Sequence, residues 1–163
     1  MRTSRSCSGR SSPRIALFKA AQYEEANRAF AAIVARLEEA ADPALRKLVV
    51  HALSNISNAL GRIGRIAEAV TIHEDLVNRF GLDAVAAFEE QAKQRENRPE
   101  PEMREEMATA LMKKAMILSD LDRDAEARAA LTDLIRRFED DEAPTIKTFV
   151  AAAYEARAQL PED

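Results

Sequence analysis

A chain of 163 residues has room for one ordinary domain or for about four short helical repeats. Gly numbers 4 and Pro 6, Ala, Leu, Glu and Arg are abundant, and no run alternates β-branched and aromatic residues, so the composition predicts an all-α protein. With 28 acidic against 24 basic residues the formal charge is −4, and an acidic body is repelled by nucleic-acid phosphates and anionic lipid.

Residues 1–14, MRTSRSCSGRSSPR, hold Arg2, Arg5, Arg10 and Arg14 and no acid, so the rest of the chain is more acidic than the total suggests. This stretch is too short to attract nucleic acid, and it lacks the apolar core of a secretory signal. Its Arg/Ser bias reads as a disordered leader or a misplaced start, and it also resembles an organellar transit peptide; the default location is the cytoplasm. Cys7 is the only cysteine, which excludes an internal disulfide and a cysteine-based metal cluster. No stretch approaches the roughly 20 apolar residues of a membrane span.

Helical patterning begins at Ile15. A first repeat over about 15–40 combines a short helix near Ile15–Ala20 with the segment YEEANRAFAAIVARL, Tyr23–Leu37. The second repeat, 43–80, opens at Asp42-Pro43, where Pro fits the first helical position because its missing N–H would be unpaired there anyway. Leu45, Leu48, Val49, Ala52, Leu53, Ile56, Leu60 and Ile63 form its first apolar stripe, and IAEAVTIHEDLVNRF, Ile66–Phe80, its second helix. Residues 83–98 can start a helix with Asp83 as N-cap and Val85, Phe88 and Ala92 on one face. They read as an insertion, either an additional helix or an extension of the preceding one, broken by Pro99 and Pro101. The third repeat, 101–138, carries Met103, Met107, Leu111, Ala115, Leu118 and Leu121, then DAEARAALTDLIRRF, Asp124–Phe138. Ala143-Pro144 opens a terminal helix, 144–160, with Phe149 and Tyr154 expected inward.

The three second helices align without gaps. Glu25, Glu68 and Glu126 precede Ala26, Ala69 and Ala127; Phe30, His73 and Leu131 share a column, as do Ile33, Leu76 and Leu134. Apolar positions three and four residues apart make one helix face. Ala26 to Ala69 and Pro101 to Pro144 are both 43 residues, whereas Pro43 to Pro101 and Ala69 to Ala127 are both 58, so the period reads as 43 with fifteen extra residues between Phe80 and Pro101.

In the second repeat, Leu53, Ile56, Ser57 and Leu60, followed by Gly64 and Ala69, resemble the tetratricopeptide pattern W-x2-L-G-x2-Y…A-x3-F. The third repeat fits with Leu111, Ala115, Leu118 and Ala127, but has Lys114 at the Leu position and Asp122 at the turn Gly. The long repeats resemble bacterial tetratricopeptide arrays over about 15–160. The resemblance implies antiparallel helix pairs stacked as a right-handed α-α superhelix of about six to eight helices, because a lone pair cannot bury its apolar face. It further implies a concave groove that holds peptides or helices of other proteins.

By that resemblance Asn55 and Asn58 match two groove positions, with His51 and Arg62 one turn before and after. Thr109, Met112, Lys113, Met116 and Asp120 of the third repeat are expected on the same face. Asn amides can both donate to and accept from a ligand backbone, Met packs adaptably, and Lys113 with Arg62 could hold a carboxylate. The plainer alternatives are a solvated polar face and, for Met112 and Met116, core packing. His51 and His73 fall on different helices without metal-ligand spacing, His73 shares a column with Phe30 and Leu131 and so is expected to be at least half-buried, and Gly61-x-x-Gly64 is a helix end rather than a phosphate loop. The sequence therefore predicts a non-enzymatic protein-binding scaffold without cofactor or metal. The alternatives are a self-associating homodimeric module and an accessory or regulatory domain of a larger signalling or enzyme assembly.

Overall fold

Pro at the first helical position, Gly or Asp at a left-handed turn and long breaker-free runs set the element boundaries. The computed structural model describes residues 13–98 and 100–161, with residues 13–20 as backbone alone. The proposed leader up to residue 12, Cys7 included, and Pro99 lie outside the described residues. Among those described there are six helices and no strand: α1 (Pro13–Leu37), α2 (Pro43–Arg62), α3 (Ile66–Arg95), α4 (Pro101–Asp120), α5 (Asp124–Phe138) and α6 (Pro144–Gln159). Pro opens α2, α4 and α6, and before α2 the Asp42 carboxylate accepts the Ala44 N–H at 2.7 Å.

Two expectations need correction. The first repeat was expected as a helix pair, but α1 runs unbroken from Pro13 because no Gly or Pro interrupts 14–37. Residues 83–95 form the second arm of α3, a helix joined to the preceding one across a kink at Phe80. Asp83 is not an N-cap; its carboxylate binds the Arg46 guanidinium of α2 instead. The chain bends within α3 at Phe80, whose φ of −132° and ψ of 16° leave the helical region.

Consecutive helices pack antiparallel. Where the end of α2 crosses the start of α3, the Ser57 hydroxyl donates to the Ala69 carbonyl at 2.9 Å, and the small residues Ala115 and Ala127 occupy the equivalent crossing of α4 and α5, both buried. Gly64 closes α2 with φ +81°, and Asp122 closes α4 in the same way with φ +56°. In both turns the N–H of the next residue, Arg65 or Arg123, returns to a carbonyl of the preceding helix, Leu60 or Leu118, at 2.9 Å. Gly81 has a different reason: a Cβ there would lie 3.0 Å from a Leu121 methyl, so its absence lets the end of α4 approach the bend of α3.

The 58-residue spacing extends beyond the prolines. Glu38–Arg79 recurs as Glu96–Arg137, Arg46–Asp83 as Arg104–Asp141, and Arg65–Glu68 as Arg123–Glu126. The same displacement of 58 carries Ala26, Ala29, Phe30 and Glu38 onto Ala84, Ala87, Phe88 and Glu96. The segment read as an insertion is thus a second copy of the later half of α1. A further step takes Phe88 and Ala92 to Ile146 and Val150 on α6, all four buried. The repeating unit has three helical segments, and a copy of its first segment lies at each end of the described chain.

The core divides accordingly. Val49, Val50, Leu53, Leu76, Phe80, Phe88 and Ile117 pack together around α2 and α3, while Met107, Leu111, Leu118, Leu131, Leu134, Phe138 and Ile146 pack around α4 to α6. On α6 the inward residues are Ile146, Val150 and Ala153, with Phe149 half-buried, whereas Tyr154 points outward and donates to Glu139. The helix stripe that places Ile146 and Val150 inside carries Tyr154 to the rim. Leu48, counted with the apolar stripe of α2, is 52% exposed, because Val49 and Val50 beside it take the inward positions.

Two predictions follow from the packing. Phe88→Ala should destabilise the fold by about 3–5 kcal/mol, read from the urea unfolding midpoint, because the cavity opens between three helices. Asp122→Gly should stabilise by about 0.5–1 kcal/mol while Gly64→Ala destabilises by a similar amount or more, since both positions have left-handed backbone; opposite signs in thermal melts check the pair.

Candidate functional site

Along α2 the outward positions recur every three or four residues, and Leu48, His51, Asn55, Asn58 and Arg62 form one stripe. Asn55, Asn58 and Arg62 are exposed and bond to no other described side chain. The displacement of 58 residues takes His51, Asn55, Asn58 and Arg62 to Thr109, Lys113, Met116 and Asp120 on α4. The two stripes are therefore equivalent surfaces of successive units, but their chemistry differs.

Phe88 lies between them. The second half of α3 enters between α2 and α4, whose backbones do not meet. His51 on α2 stands edge-on to the Phe88 ring, with centroids 5.8 Å apart and planes at 85°. From the α4 side the Lys113 ammonium lies 5.4 Å from the same ring and donates to the Ser54 hydroxyl at 2.9 Å. No carboxylate among the described residues pairs with Lys113, and burial lowers its pKa. Burial also lowers the pKa of His51, helped by the charges of Lys113, Arg95 and Lys47. The seam between the stripes thus brings the Lys113 amine and the His51 imidazole, each with its pKa lowered by burial, onto one aromatic ring.

The remaining residues of the expected groove divide by commitment. Asp120 is exposed but pairs with His73 Nε2 at 2.8 Å, tying the end of α4 to the start of α3. His73 is half-buried, in agreement with its apolar column. The Thr109 hydroxyl donates to the Glu105 carbonyl in its own helix at 2.8 Å. Met112 is half-buried against the second core, and Met116 is 50% exposed. Lys113 is turned onto Ser54, and Arg62 stays exposed on the outer stripe.

Sequence reasoning missed Leu48, Ser54 and Phe88 as parts of this surface. The recurrence of Ala26, Ala29, Phe30 and Glu38 as Ala84, Ala87, Phe88 and Glu96 is the sequence signal that the later half of α3 repeats part of α1. A cleft of about 270 Å³ opens where α4 meets α5 and α6, lined by Met112, Ala115, Met116, Ser119, Leu131 and Leu160, among others. Another, of about 280 Å³, has Ala92, Met107 and Leu111 beneath charged groups that answer one another, as in Glu89–Lys114 and Asp133–Arg137. Among the described residues no three His, Cys, Asp or Glu side chains converge as metal ligands, and no helix is long and apolar enough to cross a membrane.

The chain matches no family model, no curated protein and no solved structure.

The His51 environment has a pH consequence. Its folded pKa lies below its ordinary value of 6.5, so the unfolded chain takes up the proton first. The contribution is complete above about pH 6.5 and is lost as pH falls through the folded value. Urea midpoints should therefore fall on acidification from neutral pH, and His51→Gln should flatten that part of the profile.

Proposed function

We propose that the chain is a tetratricopeptide-type repeat that holds a peptide or helix of a partner protein along the face formed by α2 and α4, without catalysing a reaction. The observation that carries this reading is the contrast along α2. Ser54 and Ser57 are hydrogen-bonded and His51 rests on Phe88, yet Asn55, Asn58 and Arg62 project together with no bond to another described side chain. An amide pair at this spacing suits a ligand backbone, whose N–H and C=O groups need one acceptor and one donor.

The resemblance in Leu53, Ile56, Ser57, Leu60, Gly64 and Ala69 supports the same reading. So does the geometry of those positions: Ser57 and Ala69 are where two helices cross, and Gly64 has the left-handed turn that such a helix pair uses. Leu48 adds an apolar contact at the start of the stripe, and Arg62 a positive end. A ligand lying along α2 would thus meet an apolar residue, two amides and a guanidinium in order.

The test is affinity capture with the full chain, identification of the bound protein, and titration of that protein against variants. Asn55→Ala combined with Asn58→Ala should weaken capture by about tenfold, the equivalent of two modest hydrogen bonds, with unchanged helicity. Equal affinity for the double variant would remove the groove from this face.

A further inference from the structure

A lysine withdrawn from water ordinarily meets a carboxylate, and Lys113 does not. Its amine is half-buried on α4, donates to the Ser54 hydroxyl at 2.9 Å and lies 5.4 Å from the centre of the Phe88 ring. Ser54, only 9% exposed, closes the α2 side. The charges at this seam are basic: Lys113, Arg95 and Lys47 all act on His51, which stands against the same ring. Glu106 of α4 is held by Arg95, and no carboxylate among the described residues pairs with Lys113.

Two properties follow for this amine. Burial disfavours its charged form, so its nitrogen lone pair becomes free at lower pH than that of an ordinary lysine. A negative charge attached to it is attracted by the neighbouring cations, whereas an ammonium is repelled by them. Access then selects the reagent. A hydrated anion must shed water to enter a half-closed seam, and a small uncharged molecule need not.

We propose that Lys113 is a reversible carbamate site that takes carbon dioxide, with the new carboxylate held among His51, Arg95 and Lys47. The nitrogen lone pair attacks the carbon of CO2 and an N–C bond forms. The electron pair of one C=O π bond moves to its oxygen, and the nitrogen releases one proton to solvent, so neither oxidant nor reductant is needed. The Ser54 hydroxyl, which accepts from the amine, has a proton of its own to donate to a carbamate oxygen. The product replaces a basic group by an acidic one at the seam between α2 and α4. The equivalent position of the first unit, Asn55, has an amide that cannot undergo this step. The inference stands apart from the reading of the chain as a partner-binding module.

The full chain is equilibrated with isotopically labelled carbon dioxide near neutral pH, treated with a trialkyloxonium reagent that fixes carbamates as esters, and mapped by mass spectrometry. Label on Lys113 should exceed that on the exposed Lys93 and Lys147 by a factor on the order of ten, the change in unprotonated fraction for one unit of pKa. His51→Gln should reduce it with unchanged helicity, and Lys113→Arg should abolish it. The His51 ring, titrated by NMR, should protonate at higher pH under carbon dioxide, because an anion then faces it, and Lys113→Arg should remove that response. Label confined to the amino terminus, label spread equally over the lysines, or a His51 titration indifferent to carbon dioxide would overturn the inference. If Lys113→Arg does not fold, the label map and the His51 titration of the unaltered chain decide the matter.

Discussion

A helix that separates two others must offer apolar surface on both sides, and the later half of α3 does so with very small residues around one large one. Ala84, Ala87 and Ala92 let neighbouring helices come close, and Phe88 fills the space they share. Its ring is in contact with His51 of α2 and Lys113 of α4, so one side chain joins two helices whose backbones do not meet. Burying a Phe side chain contributes about 1.5–3 kcal/mol, more than an exposed ion pair at the median. The bend at Phe80 is a condition of this arrangement. It redirects α3 while the Phe80 ring stays buried, with the Arg46 and Arg79 guanidinia each 5.1 Å from its centre.

The recurring ion pairs play a different part. Arg79–Glu38 and Arg137–Glu96 are partly exposed, and such pairs contribute about 0–1 kcal/mol each. Their value lies in position: each links a residue just past a first segment to the end of a third segment in the same unit. Lys113 takes no part in this pairing. Its amine is held by a hydroxyl and an aromatic face, and burial lowers its pKa.

Commitment of side chains separates the candidate surfaces more clearly than exposure does. Asp120 is exposed, yet it is spent on His73; Asn55 and Asn58 are exposed and make no such bond. The α2 stripe is accordingly polar and uncommitted, and its equivalent on α4 is apolar around Met112 and Met116. Two copies of one scaffold thus present different chemistry at equivalent positions.

The all-helical class and most helix boundaries were legible in the sequence, because they depend on local chemistry: Pro at a first turn, Gly64 at a left-handed turn, and apolar residues three and four apart. The local signal failed where the deciding contact is distant in sequence. Asp83 looks like an N-cap until Arg46, 37 residues away, takes its carboxylate. Asp120 looks like a solvent-facing groove residue until His73, 47 residues away, pairs with it. Leu48 belongs to an apolar run, but only the packing of Val49 and Val50 against α3 decides that Leu48 faces solvent. The sequence alone determined which segments are helical, but its 43-residue spacing of Ala26 and Ala69 gave way to the 58-residue recurrence that the ion pairs share. Tertiary structure decided which equivalent surfaces are filled and which side chains remain uncommitted, since a side chain's availability depends on neighbours that no local pattern specifies.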